Sequence, residues 1–245
     1  MQGRAPWPVT DGQRPGEPLA PSAPSPLENR TQAGRLLAAQ IDRLRLREPL
    51  ILGIPRGGVP VAFEIAVHLG APLDVLVVRK VGAPGDPEYG LGAVAEGGLV
   101  LIDERRARDA GFSRAMLEPE IRRELKEVVA RVRRFRGDLP PAELSGRSVV
   151  VVDDGVATGG TVETGVAVVR ARGPASVVVA LGVAPPEALG RLRSVADDVV
   201  VALVPRRLEA VGQWYREFEA VDDDEVARLL AMARARSPPA TSRSA

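Results

Sequence analysis

The chain has 245 residues, with 33 Lys and Arg set against 32 Asp and Glu for a formal net charge of +1, and 45% of its residues are apolar. That balance suits one sizeable α/β domain and argues against a dedicated nucleic-acid binder, whose domains carry a clear basic excess. There is no cysteine and one histidine, His68, so disulfides, thiolate nucleophiles, cysteine zinc sites and multi-histidine metal centres are excluded. Any chemistry has to run on carboxylates, amides, hydroxyls, Arg and Lys.

Residues 1–29 space Pro6, Pro8, Pro15, Pro18, Pro21, Pro24 and Pro26 among few apolar groups. Such a tail cannot bury enough surface to offset its ordering entropy and is expected to be disordered, as is 234–245 with Ser237, Pro238 and Pro239. The folded domain is expected over 30–233. Residues 30–46 have helical spacing, and 49–54 is an apolar run followed by Pro55-Arg56-Gly57-Gly58. A helix over 60–69, opened by Pro60 and closed by Gly70, carries His68 as a solvated imidazole favoured by the helix dipole. Residues 73–78 form another buried run, ending at Arg79-Lys80. Lys80 and Lys126 are the only lysines. Residues 83–91, rich in Gly and Pro, read as a loop, and 92–96 and 98–103 as strands meeting at Gly97-Gly98.

A long helix is expected over 112–136, with Leu117, Ile121, Leu125, Val128, Val129, Val132 and Phe135 on its buried stripe. Arg122, Arg123, Lys126, Arg131, Arg133 and Arg134 alternate with Glu118, Glu120, Glu124 and Glu127 as a solvated face of mixed sign. Strands at 148–152, 175–182 and 198–204 alternate with helices at 161–172 and 187–195. The order is βαβ repeated, and continuous Val-rich runs indicate strands covered on both faces. The fold class is therefore α/β, a doubly wound and mostly parallel sheet whose ligand sits at the strand C-termini. No apolar run reaches a membrane span of about eighteen residues, and the N-terminus lacks a signal-peptide layout. The expected location is the cytoplasm, with no membrane or nucleic-acid partner.

The sharpest signal is residues 149–161, VVVVDDGVATGGT. A central strand ends in two carboxylates, Asp153 and Asp154, and a Gly/Thr-rich turn opens a helix. The amides of Val156, Ala157, Thr158, Gly159, Gly160 and Thr161 should converge where the positive end of the helix dipole lies, a phosphate site. It is neither a Walker loop, which needs a Lys, nor the dinucleotide fingerprint. Two carboxylates beside a phosphate cradle repel a bare polyanion but suit the hydroxyls of a ribose 5-phosphate.

This stretch resembles the PRPP-binding signature of the type I phosphoribosyltransferases, and the similarity extends over about residues 30–230, including Val211-Gly212-Gln213-Trp214-Tyr215. The resemblance implies that fold, with a long helical insertion and a small hood. It also implies transfer of the phosphoribosyl group of PRPP to a nitrogenous base, release of pyrophosphate, Mg²⁺ as cofactor and a homodimeric assembly. Arg56, Gly57 and Gly58 then match the family's pyrophosphate loop, often built around a strained peptide. Arg79-Lys80 resembles a pyrophosphate-side basic pair, its alternative being a solvated strand end. Residues 82–92 match the flexible loop that closes over the reacting centre, where Glu88 is a candidate general base. Asp153 and Asp154 would bind ribose and, through water or ribose, the metal. Ala157 stands where 6-oxopurine enzymes usually carry an aspartate, which argues against that specificity. Trp214, Tyr215 and Phe218 form either a stacking platform for the base or anchors for the C-terminal helix. Two competing classes are a non-catalytic PRPP or nucleotide sensor of the same fold and a phosphatase- or kinase-like enzyme built on Asp153.

Overall fold

The Val-rich runs become the centre of a parallel sheet because each can be buried on both faces. A computed structural model describes residues 25–236. Its first half comprises α1 (Arg30–Asp42), β1 (Leu50–Gly53), α2 (Gly58–Leu69), β2 (Leu73–Val75), β3 (Val78–Ala83), β4 (Asp86–Ala95), β5 (Leu99–Ile102) and α3 (Glu104–Asp109). Then follow α4 (Arg114–Arg136), β6 (Ser148–Gly155), α5 (Gly160–Arg170), β7 (Ser176–Val183), α6 (Pro186–Val195), β8 (Asp198–Leu203) and α7 (Asp223–Arg236). Five strands form one sheet in the order β2-β1-β6-β7-β8, all paired in parallel.

Strand periodicity sorts the core into two layers. Val150 and Val152 face α1, α2 and α7, whereas Val149 and Val151 face α5 and α6. All four are fully enclosed, and burial of each such valine contributes roughly 1.5–3 kcal/mol. The α/β class and the doubly wound parallel sheet expected from the sequence are borne out. Because α2 covers one face and α5 the other, the chain reverses direction between β1 and β6, the switch point where α/β sheets bind ligands.

The region between β2 and β6 departs from expectation. Residues 78–83, read as a strand end followed by a loop, form β3, which pairs antiparallel with β4, and β5 completes a separate three-stranded sheet. The segment 82–92, expected as a flexible loop, is mostly β4, with the chain turning at Gly85 (φ 85°). Glycine and proline obscured this pairing in the sequence. Gly82 faces Pro87 and Gly92 faces Leu101 so closely that a side chain at either position would strike the opposing backbone. On α4, Val129 is 65% exposed, while Glu124 takes a place on the buried stripe with Leu117, Ile121, Val128 and Phe135.

Most of the proline-rich tail lies outside the described residues. Its last residues belong to the fold, contrary to a disordered boundary at residue 29. Leu27 is buried and bridges to Tyr215, and Asn29 caps α1 by accepting from the Gln32 amide. At the other end α7 continues to Arg236, so residues 234–236 are helical as well. His68 is exposed in the last turn of α2, as expected.

Candidate functional site

Strand β6 runs three residues past its predicted end, so Asp153 and Asp154 still lie within the sheet, with Asp153 opposite Leu181. The turn that follows places Gly159 in the left-handed region (φ 86°), a conformation that favours glycine, as the N-cap of α5. The Val156 amide donates to the Val183 carbonyl at 2.9 Å, so it is spent on the sheet and is unavailable to a ligand, a correction to the expected six-amide cradle. The amides of Ala157, Thr158 and Gly159 have no acceptor among the described residues. With Gly160 and Thr161 in the first turn of α5, they leave an anion-seeking surface at the positive end of the helix dipole.

A cavity of about 590 Å³ opens at this turn, lined on one side by Thr158, Gly160, Thr161 and Thr164. Ile54 and Pro55, at the end of β1, form part of its wall, as does Leu76. Facing the turn are Arg79, Lys80, Arg123 and Arg131, with Glu124 between them. Arg79 and Lys80 thus reach the cavity from the antiparallel strand β3 and not from the end of a parallel strand. Arg123, Glu124 and Arg131, read as part of a solvated face, line the cavity instead. The signal for Glu124 was present, since its spacing from Leu117, Ile121 and Val128 puts a carboxylate on the core-facing stripe.

The other site residues gather beside the cavity. The Pro55–Arg56 peptide is cis, and the Arg56 and Gly57 amides have no acceptor among the described residues, whereas the Gly58 amide donates to the Ile54 carbonyl at 3.0 Å. The Arg56 side chain points elsewhere, 56% exposed and 3.8 Å from Asp223 on α7. Gly57 and Gly58 are required by close approach. A Cβ at Gly57 would strike the Asp154 carboxylate, and one at Gly58 would lie 2.9 Å from the Asp153 Cα.

The two aspartates are held differently. Asp153 accepts from the Asp154 amide at 2.9 Å, while Asp154 accepts from the Arg30 Nε at 2.8 Å. Burial and the adjacent Asp154 charge push the Asp153 carboxyl well above the usual carboxylate range. Burial also raises Asp154, with Arg30 opposing it. Arg30 donates to the Glu219 carbonyl at 2.8 Å and lies 3.9 Å from the centre of the Phe218 ring. Sequence reasoning missed Arg30. A cation at the first position of a helix sits at the positive end of the dipole, a small anomaly that points to a partner anion.

Tyr215 completes this group from beneath. Its hydroxyl donates to the Asp154 carbonyl at 2.6 Å, its ring stacks on Phe218 at 5.1 Å, and it is 5% exposed. Burial, then the Asp154 charge, raises the hydroxyl pKa, so it remains a donor. Gly182 makes room for that hydroxyl. Tyr215 therefore serves as an anchor, and Trp214 in the preceding short turn is the more accessible of the two aromatics. Glu88 lies within β4, and its side chain is outside the described residues.

A doubly wound parallel sheet with amides, threonines and basic side chains around a cavity at its switch point makes this an α/β protein of the doubly wound class. A family model described as the phosphoribosyl transferase domain matches residues 26–205, and the chain belongs to that family. The family resemblance carried by residues 149–161 is thereby borne out. Two curated Mycobacterium tuberculosis proteins, named "Putative phosphoribosyl transferase MT0597" and "Putative phosphoribosyl transferase Rv0571c", are each 42% identical over 203 residues, covering 83% of this chain and 46% of their own length. The chain thus spans about half the length of the curated relatives it matches. Among solved structures, TT1426 from Thermus thermophilus is 45% identical with a TM-score of 0.78, covering 84% of this chain and 98% of that one. Among the described residues no helix is long and apolar enough to cross a membrane.

Proposed function

We propose that the chain transfers the 5-phosphoribosyl group of PRPP to a ring nitrogen of a nitrogenous base. The bond from the anomeric carbon to pyrophosphate breaks with its electron pair leaving on pyrophosphate. A carbon–nitrogen bond forms, and the base's proton passes to a carboxylate, for which Glu88 is the candidate. The carrying observation is the run of free amides at Ala157, Thr158 and Gly159 opening into a cavity whose far wall holds Arg79 and Lys80. These amides, with Gly160 and Thr161, would take the 5-phosphate. The Arg56 and Gly57 amides together with Arg79 and Lys80 would take pyrophosphate. Asp153 would face the ribose hydroxyls, and Trp214 would contact the base.

A cation fits this donor set only loosely. Among the described residues no group of three or more His, Asp or Glu is placed to hold a metal, and Arg30 already occupies Asp154. Asp153 and Asp154 would therefore hold Mg²⁺ through water or the donor's own oxygens, in keeping with an ion that retains much of its hydration. When bound, Mg²⁺ offsets charge on the departing pyrophosphate. The protein's own share is positioning and charge stabilisation.

The test is calorimetric titration of PRPP with Mg²⁺, followed by a pyrophosphate-release screen over free bases. Binding followed by release with one class of base is the expected result. Binding without release for any base would make the chain a non-catalytic sensor, and no binding by folded protein would overturn the proposal.

A further inference from the structure

Helix α4 brings a carboxylate where packing alone would favour an aliphatic residue. Glu124 occupies the buried stripe of the helix, with its side chain 7% exposed. One oxygen accepts from the Arg79 Nε at 2.7 Å, and the other from the Arg123 Nε at 3.2 Å and its terminal nitrogen at 3.0 Å. Burial raises the Glu124 carboxyl, but the hydrogen bonds from the two arginines outweigh it, so the group sits below its ordinary value and stays ionised. Two turns further along the helix, Arg131 is exposed at the same cavity and has no acid partner among the described residues. Replacing a buried ion pair by well-packed apolar residues is often neutral or stabilising for a fold. Core packing therefore supplies no reason for a carboxylate here, while the cavity does: both guanidinia that Glu124 holds line it.

Resting on the phosphoribosyl-transfer reading above, we infer that α4 supplies a diphosphate clamp, in which Arg123 and Arg131 bind the pyrophosphate of the donor and Glu124 is the positioning residue that aims Arg79 and Arg123 at it. The planar guanidinium suits this task, since its fixed fork matches two phosphate oxygens at once when its plane is held by a second acceptor. The clamp lies opposite the amide turn of α5, so the two ends of the donor are gripped by different elements. The turn holds the single phosphate, and β3 with α4 holds the double one. Helix α4 thereby becomes part of the binding machinery as well as part of the scaffold.

The two ends can be assayed apart. Inorganic pyrophosphate and ribose 5-phosphate are each titrated by calorimetry, with Mg²⁺, into the full chain and into Glu124→Leu, Glu124→Gln and Arg131→Gln. Thermal unfolding is followed in parallel. Counting charge alone, loss of an acid makes the cavity more positive and should tighten pyrophosphate. The positioning role predicts the opposite sign. Both Glu124 variants should weaken pyrophosphate about tenfold or more, Arg131→Gln should do likewise, and ribose 5-phosphate affinity should stay within about twofold. Tighter or unchanged pyrophosphate binding in the Glu124 variants would overturn the inference, as would parallel loss of both ligands. If Glu124→Leu does not fold, the exposed Arg131→Gln still decides whether α4 takes part. A wild type that binds ribose 5-phosphate normally while the variants keep their pyrophosphate affinity refutes the clamp alone. A wild type that binds neither ligand refutes the phosphoribosyl reading and the clamp with it.

Discussion

Replacing Arg30 by Met removes the guanidinium that pairs with Asp154 of the acid pair, and the cost should depend on pH in a defined direction. The side chains of Arg30 and Asp154 are 12% and 13% exposed, so solvent screens the pair only weakly. Breaking such a pair on one side costs about 3–5 kcal/mol. Asp154 can limit that cost by taking up a proton, and bringing a carboxyl from pH 7 to its ordinary value costs at most ~4 kcal/mol. Its folded pKa already lies above that value, so a loss of about 3 kcal/mol is expected at pH 7. In the variant the folded pKa of Asp154 rises further. A carboxyl raised in the folded state favours folding once protonated, so the loss shrinks as pH falls through the folded pKa and is smallest below the unfolded value. What persists at acid pH is the bond to the Glu219 carbonyl and the contact with Phe218, together roughly 1–2 kcal/mol. Urea unfolding at neutral pH and at a pH below the unfolded carboxyl value of about 3.9 measures both limits, and Asp154→Asn in the Arg30→Met background should restore much of the neutral-pH loss. A deficit of equal size at both pH values, unrelieved by Asp154→Asn, would refute this account of the pair.

Gly57→Ala keeps an allowed helical backbone (φ −62°, ψ −31°) but sets a Cβ against the Asp154 carboxylate, 2.5 Å from its Cγ. It should lower stability by about 1–3 kcal/mol in thermal or denaturant unfolding and weaken PRPP binding by titration. Tyr215→Phe leaves the Asp154 carbonyl without its 2.6 Å donor and should cost about 1–2 kcal/mol, seen as a lower unfolding midpoint with the fold retained by circular dichroism. Glu88→Gln should reduce kcat with little change in PRPP affinity if it takes the proton from the base, and unchanged turnover removes it from that role.

The separation between legible and hidden features follows the range of the interactions. The βαβ order, the central Val149–Val152 run and the amide turn after Asp154 were legible because each is local: strand, turn and helix signals lie within a few residues of one another. The β3–β4 hairpin was hidden because its glycines pack against opposing backbone, a fact about the partner strand that resembles loop composition in sequence. Val156 was read as a phosphate donor because the sequence cannot show that its amide is already bonded to Val183, a residue 27 positions away (183 − 156).

By itself, then, the sequence determined the parallel α/β class, the position of the amide turn after Asp154 and the exclusion of thiol and multi-histidine chemistry, since these depend on residue type and short spacing. Only the tertiary structure decided which charges meet. Arg30 crosses to Asp154 over 124 positions, and Glu124 reaches Arg79 over 45. It also turned Tyr215 inward to support the Asp154 backbone. Buried ions must find partners because low-dielectric surroundings penalise an isolated charge, and in this chain those partners lie on elements that only folding brings into contact.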